Sequence, residues 1–265
     1  MSDTGAVGPG GSGGFPGVGE GSADTAGATL DLAAAPDPVA APVFRLAVLA
    51  SGNGSNLQAI IDRLHRRPVG VPVVRPVSLA DPPVIEVVLV VSDVPEAHAL
   101  ERARNAGIST AVFPYGLHTT RDEHDLAMAS AIREAKADLV VLAGYMRLVA
   151  PSFVKAFPSR IINLHPALLP AFPGTTSISD AVHAGVKVTG VTVHFVDEGL
   201  DTGPIIAQEP VRVEEGDTPE TLAARIHAVE HELLPATIRL IAAGRIKPPL
   251  PGSHVVQVDW SDGAK

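Results

Sequence analysis

The sequence predicts an α/β fold in which a doubly wound, mostly parallel sheet is flanked by helices in a single domain. Short apolar runs rich in β-branched residues alternate with amphipathic segments between residues 44 and 196, and this alternation favours parallel strands connected by helices. The runs are continuous and do not alternate with polar residues, as is typical of strands buried on both faces. A hydrophobic fraction of 46% in 265 residues is enough for one large core.

The predicted strands are, in chain order, Phe44 to Ala50, Ile85 to Val91, Ile108 to Phe113, Leu139 to Ala143, Arg160 to Leu164 and Val188 to Val196. The predicted helices are Asn56 to Leu64, Pro95 to Ala106, Arg121 to Ala137, Ser177 to Ala184 and a long last helix from Pro219 to about Ala243. Thr120 and Glu123 have the spacing of a capping box, and Pro219 suits the first position of a helix.

Three segments fall outside this pattern. Residues 1–42 hold ten of the 25 glycines, five acidic residues and no basic residue, so we expect a dispensable, disordered leader that is neither a secretory signal nor a transit peptide. A misassigned start is the alternative. Residues 66–83 are rich in Pro and Val without a period and are expected to form a surface insertion. Residues 248–265 are expected to be a loose tail. The folded domain is therefore predicted to span residues 43–247.

Composition and charge exclude several classes of function. The net charge is −9 and no basic run occurs, which disfavours nucleic acid as the main ligand. The absence of cysteine removes disulfides, thiolate metal sites and cysteine nucleophiles, and it fits a reducing compartment such as the cytoplasm. No apolar run reaches 18 residues, so we expect no membrane span. No metal site is predicted.

The segment between the first strand and the first helix, residues 51–56, has the sequence Ser-Gly-Asn-Gly-Ser-Asn. Free backbone N–H groups and the helix dipole favour an anion at such a position, so this loop is a candidate phosphate site. Leu57 stands where a dinucleotide-binding fingerprint has its third Gly, and the Lys of a P-loop is missing. A tight turn with an N-cap is the alternative interpretation.

Asn163 and His165 end the predicted strand 160–164 and precede a Pro-rich loop, residues 166–174. Because the two residues are two positions apart on an extended chain, their side chains project to the same side. They lie at the carboxyl end of the strand, where open α/β sheets bind ligands. An amide beside an imidazole can stabilise a developing oxyanion and transfer a proton. A lone His at a strand end is more often structural, but the Asn-x-His-Pro pattern favours a catalytic pair.

Two further segments follow predicted strands. Leu200 to Pro204 has a turn pattern that places Asp201 beside the preceding strand, where its carboxylate could hold His165 or take a proton from an attacking amine. An ordinary Asx-turn is the alternative. Residues 144–149, Gly-Tyr-Met-Arg-Leu-Val, follow the strand 139–143, and Arg147 there is either part of a ligand site or simply solvated.

In this order and combination, the motifs at 52–56, 143–147, 163–174, 193–196 and 200–204 resemble the phosphoribosylglycinamide formyltransferase family of purine biosynthesis. The resemblance covers about Arg45 to Lys247. It implies a Rossmann-like formyltransferase fold and an enzyme that transfers a formyl group from 10-formyltetrahydrofolate to the amine of glycinamide ribonucleotide. The expected partners are these small molecules and not nucleic acid or membrane, and the expected state is a monomer or a homodimer.

The resemblance also implies roles for individual residues. Catalysis is expected from Asn163, His165 and Asp201. Binding of the ribonucleotide is expected from Gly54, Ser55 and Asn56 at the phosphate and from the carboxylate of Glu230. Binding of the folate is expected from Met146, Arg147, Leu148, Val149, Asn163 and the loop 196–201, with Arg121 near the glutamate end of the folate.

Two positions depart from the pattern of that family. Thr176 stands where a histidine is expected near Asp201, and His227 stands where Gln or Lys is expected near the phosphate. Three alternatives stay open. A formyltetrahydrofolate deformylase would use water as the acceptor, a methionyl-tRNA formyltransferase would need a basic C-terminal domain, and a binding module would hold both ligands without turnover.

Overall fold

The structure is a computed structural model that describes residues 42–68, 83–117, 120–250 and 253–259. The predicted leader and most of the predicted insertion lie outside these residues. The strands are β1 Val43–Leu49, β2 Arg67–Pro68, β3 Val84–Ser92, β4 Ser109–Val112, β5 Leu139–Leu142, β6 Ile161–His165, β7 Val188–Phe195, β8 Ile205–Arg212, β9 Ile246–Lys247 and β10 Gln257–Val258. The helices are α1 Ser55–Leu64, α2 His98–Asn105, α3 Arg121–Glu134, α4 Pro151–Ala156, α5 Ser177–His183 and α6 Pro219–Ala242, with a 3₁₀ turn at Tyr115–Leu117.

Eight of the described strands form one sheet in the order β2-β3-β1-β5-β6-β7-β8, with β4 paired to β3. The central strands β3, β1, β5 and β6 are parallel, whereas β7 and β8 run antiparallel to their neighbours. The order reverses between β1 and β5, and such a switch point opens a crevice at the carboxyl ends of the strands. The predicted α/β fold with a doubly wound, mostly parallel sheet is confirmed.

Two cores explain why the strand sequences are continuously apolar. Leu46 and Val48 of β1 face a core that also contains residues of α1, α2, α5 and α6. The alternate residues Ala47 and Leu49 face a second core built with α3 and α4. Because successive side chains of a strand point to opposite faces, a strand covered by helices on both faces needs apolar residues at every position.

The structure contains elements that were not predicted: the short strands β2, which falls in the predicted insertion, and β9, and three further features. Strand β8 was not predicted, because it is an edge strand with three consecutive exposed residues, including Pro210, and has no continuous apolar run. Helix α4 was not predicted, because six residues are too few to show a helical period. Within the tail that was expected to be loose, residues 257–258 pair with β9. Among the described helices, none is long and apolar enough to cross a membrane.

Candidate active site

Two contiguous clefts lie at the carboxyl ends of β1, β5 and β6. The first cleft is lined by the segment 144–149, by the ends of β6 and β7 and by the loop 196–201. The second cleft is lined by Asn56 of α1, by the start of α5 and by the first part of α6. The residues that line both clefts are Gly144, Met146, Leu164, Pro166 and Thr175. The two clefts therefore adjoin along these residues.

Asp201 is at the centre of a polar cluster in the first cleft. Its Oδ2 accepts a hydrogen bond from the backbone N–H of Gly174 at 2.8 Å and lies 3.5 Å from His165 Nδ1. Its Oδ1 accepts from Asn163 Nδ2 at 3.4 Å and lies 3.8 Å from His194 Nε2. The predicted proximity of Asp201 to Asn163 and His165 is therefore present in the structure.

The turn after β7 positions this carboxylate. A Cβ on Gly203 would lie 1.8 Å from the carbonyl oxygen of Phe195, so only glycine permits the loop to return so closely to the end of β7. Asp201 itself has a φ of 54°, a left-handed conformation that Asp tolerates better than most residues. The turn and the strand end together place Asp201 beside the imidazoles.

His165 is buried, with 3% of its surface exposed. Its Nε2 lies 2.9 Å from the carbonyl oxygen of Phe172 and therefore carries a proton. Its Nδ1 faces the Asp201 carboxylate. Both ring nitrogens therefore face oxygen atoms, and with Nε2 protonated, Nδ1 can donate to Asp201 only when the ring is an imidazolium.

His194 is a candidate site residue that sequence reasoning missed. It lies opposite Asn163 in the antiparallel register of β6 and β7, and its Nε2 is 3.1 Å from Asn163 Nδ2. Burial lowers the pKa of His194 below its usual value of 6.5. A histidine inside the otherwise apolar run Val-His-Phe-Val was a signal for a buried polar role, but the strand register was needed to find its partner.

The loop 51–56 leads directly from β1 into α1. Gly54 is the N-cap residue, with a φ of 73° and without a side-chain cap bond, so the turn with an N-cap is present and a phosphate site there stays a prediction. A Cβ on Gly54 would lie 2.7 Å from Ala99 of α2. The first backbone N–H groups of a helix have no partner within the helix, so the start of α1 is suited to an anion.

A buried carboxylate joins α6 to this region. Glu230 is 3% exposed, and its Oε2 accepts from Asn56 Nδ2 at 2.8 Å and lies 2.8 Å from His227 Nδ1. The hydrogen bond to Glu230 raises the pKa of His227. Asn56 Oδ1 is buried, and no hydrogen-bond partner for it is found among the described residues. Asn56, His227 and Glu230 all line the second cleft, so a ligand hydroxyl could satisfy this oxygen.

The segment 144–149 forms one wall of the first cleft. Met146 and Leu148 are 61% and 44% exposed, which leaves apolar surface open to a ligand. Arg147 is not simply solvated: its Nε donates to Asp93 Oδ2 at 2.7 Å, and its guanidinium lies 4.0 Å from the centre of the Tyr115 ring. Val149 is buried but lines the same cleft.

Several expected site residues lie elsewhere. Arg121 is exposed at the first position of α3 and lines neither cleft. Gly54 and Ser55 also line neither cleft. Thr176 lies at the second cleft, where its hydroxyl donates to Asp180 at 2.8 Å. The backbone N–H of Gly174, and not a side chain at position 176, is the donor from this loop to Asp201.

Comparison with known proteins agrees with this geometry. A family model described as formyl transferase matches residues 44–238. The chain belongs to the formyl transferase family. It is 41% identical over 195 residues to a phosphoribosylglycinamide formyltransferase of Bacillus subtilis, covering 74% of this chain and 93% of that protein.

Two further relatives carry related names. A phosphoribosylglycinamide formyltransferase of Mycobacterium tuberculosis is 43% identical over 205 residues, covering 77% of this chain and 87% of that protein. A crystal structure of glycinamide ribonucleotide transformylase 1 from Symbiobacterium toebii is 43% identical and superposes with a TM-score of 0.71, covering 82% of this chain and 94% of the other. The predicted resemblance to this formyl transferase is confirmed.

Proposed function

We propose that this chain transfers the formyl group of 10-formyltetrahydrofolate to the amine of glycinamide ribonucleotide, giving formylglycinamide ribonucleotide in de novo purine biosynthesis. The observation that carries the proposal is the Asp201 cluster beside the junction of two contiguous clefts. A direct transfer requires two substrates whose reacting atoms meet in one orientation. The names of the relatives favour this acceptor over water, and the cytoplasm is the compartment we expect.

The second cleft suits the ribonucleotide. The start of α1 offers backbone N–H groups to a phosphate. Gly54 and Ser55 would contribute through their backbone, since neither residue lines a cleft. The buried carboxylate of Glu230 and the unpartnered Oδ1 of Asn56 are hydrogen-bond acceptors that suit ribose hydroxyls. The ligand would thus extend from α1 along α6 toward His165.

The first cleft suits the folate. The exposed side chains of Met146, Leu148 and Leu200 offer apolar surface to a flat ring system. Arg147 and Val149 belong to the same wall. Arg121 lies outside the cleft and would contact the far, glutamate end of the folate.

The cluster can stabilise each charge that develops. When the amine attacks the formyl carbon, negative charge appears on the formyl oxygen, and Asn163 Nδ2 and His165 Nδ1 are the donors nearest the cleft. Their contacts with Asp201, at 3.4 and 3.5 Å, are long for hydrogen bonds, so an oxyanion can compete for the same protons. Asp201 then accepts a proton of the amine, directly or through water, and the same proton passes to the folate nitrogen, which leaves as a neutral amine when the adduct collapses.

One experiment separates the proposal from its alternatives. The purified chain is supplied with 10-formyltetrahydrofolate with and without glycinamide ribonucleotide, while tetrahydrofolate and formate are measured. The proposal expects tetrahydrofolate only when the ribonucleotide is present, without formate. Equal formate release in both mixtures would identify a deformylase, and binding of both ligands without either product would identify a binding module.

A further inference from the structure

A buried carboxylate outside both clefts connects the two loops that line them. Asp93 follows β3 directly, and its side chain is 4% exposed. Its Oδ1 accepts a hydrogen bond from Ser51 Oγ at 2.6 Å, and its Oδ2 accepts from Arg147 Nε at 2.7 Å. Ser51 begins the loop 51–56, and Arg147 belongs to the segment 144–149. Asp93 itself lines neither cleft.

The same two loops are also joined directly at Ser51. The hydroxyl of Ser51 accepts from the backbone N–H of Met146 at 3.0 Å while it donates to Asp93. The backbone N–H of Ser51 donates to the carbonyl oxygen of Gly144 at 3.0 Å. The carboxyl ends of β1, β3 and β5 are therefore linked by one hydrogen-bonded network with the Asp93 carboxylate at its centre.

The charge of Asp93 is what makes this network strong. Hydrogen bonds that involve ionised groups are roughly twice as strong as those between neutral groups, and a carboxylate can accept from several donors at once. Arg147 supplies the opposite charge and is held on its other face by Tyr115. Without the charge, both the guanidinium and the Ser51 hydroxyl lose their strongest partner.

We propose that Asp93 is a positioning residue that holds the loop 51–56 and the segment 144–149 in one relative arrangement, so that both substrates depend on a group neither of them touches. This inference rests on the proposed function, since it assigns the ribonucleotide to one loop and the folate to the other. The Asn163, His165 and Asp201 cluster lies on β6 and after β7, outside the network.

The first test is Asp93→Asn, which keeps the shape of the side chain and removes its charge. We expect the KM of each substrate to rise about tenfold, the size of one lost charge-assisted hydrogen bond. We expect kcat to change by less than about threefold, because the reacting cluster is not altered. The matched control is Asp138→Asn. Asp138 accepts from the backbone N–H of Arg45 at 2.8 Å near the amino ends of β1 and β5, so its loss should lower stability without raising either KM.

A second readout does not depend on activity. Amide hydrogen exchange of residues 51–54 and 144–149 should accelerate together in Asp93→Asn and stay at the parent rate in Asp138→Asn. If Asp93→Asn does not fold, Ser51→Ala removes the shared hydroxyl while leaving the pair of Asp93 and Arg147 in place, and it should accelerate exchange in both segments and raise both KM values.

The outcomes are distinct. Unchanged exchange in both segments, or a rise in the KM of one substrate alone, would overturn the role of Asp93. A parent protein without transfer activity would overturn the proposed function. In that case exchange, together with calorimetric titration of 10-formyltetrahydrofolate and glycinamide ribonucleotide separately, would still decide whether Asp93 positions both sites.

Discussion

The Nε2 atom of His194 lies 3.1 Å from the side-chain amide nitrogen of Asn163. The two residues are directly opposite each other in the antiparallel pair of β6 and β7. The other ring nitrogen of His194 lies 2.8 Å from the carbonyl oxygen of Phe195 and carries the ring proton. Nε2 is therefore an acceptor, and it determines which way the Asn163 amide points. The amide nitrogen faces Asp201 and is available to an oxygen in the first cleft.

His194→Ala should lower turnover by removing this orientation of Asn163. We expect a fall of about tenfold with both KM values nearly unchanged, less than the roughly two to three orders of magnitude that follow direct loss of an oxyanion donor. The control is His183→Ala, since His183 is exposed on α5 and its Nδ1 contacts Ser179, one turn earlier in the same helix. Turnover within about twofold of the parent for His194→Ala would show that the amide is oriented without it.

Substitutions of Asn163, His165 or Asp201 should lower turnover more than His194→Ala does, and their effects should not add. Asn163→Ala and His165→Ala should each reduce turnover by about two to three orders of magnitude with little change in binding, because these donors strengthen as charge develops on the oxygen. Asp201→Asn should depress turnover and alter its pH profile. The double variant of Asn163 and His165 should cost about as much as one substitution. Saturated rates within about threefold of the parent would exclude this mechanism.

Gly54→Val should damage ribonucleotide binding selectively. The positive φ and the 2.7 Å approach to Ala99 leave no room for a side chain, so the start of α1 must shift away from a phosphate. We expect a large rise in the KM of glycinamide ribonucleotide with folate binding largely kept. Gly52→Ala is the matched control in the same loop, because a Cβ there meets nothing within 4 Å. Equal damage to both substrates would indicate a folding defect.

His227 should make stability depend on pH. Its folded pKa is raised above 6.5 by the hydrogen bond to Glu230, so its contribution is fully present below pH 6.5 and is lost as pH rises through the raised pKa. The imidazole is 49% exposed, so we expect less than about 1 kcal/mol. Chemical unfolding of the parent and of His227→Gln, measured from pH 6 to about 9, should give curves that converge at high pH. Parallel curves would contradict this contribution.

Much of the fold could be predicted because burial on both faces leaves a direct signature. β5 is apolar throughout, β1 and β3 are apolar except for Arg45, Glu86 and the last residue Ser92, and the capping box of Thr120 with Glu123 marks the start of α3 as predicted. The edge strand β8 gave no such run, because one of its sides has no neighbour. An apolar run therefore does not mark an element that is exposed or very short.

The chemical groups at the strand ends follow from the amino-acid sequence, because a strand end and the turn after it are local features. The two-residue spacing of Asn163 and His165 and the turn around Asp201 therefore predicted the polar cluster. The contact of His194 with Asn163, and the link from Ser51 through Asp93 to Arg147, became visible only in the folded chain. Those contacts depend on strand order and register, which arise when the whole sheet packs and which no local spacing encodes.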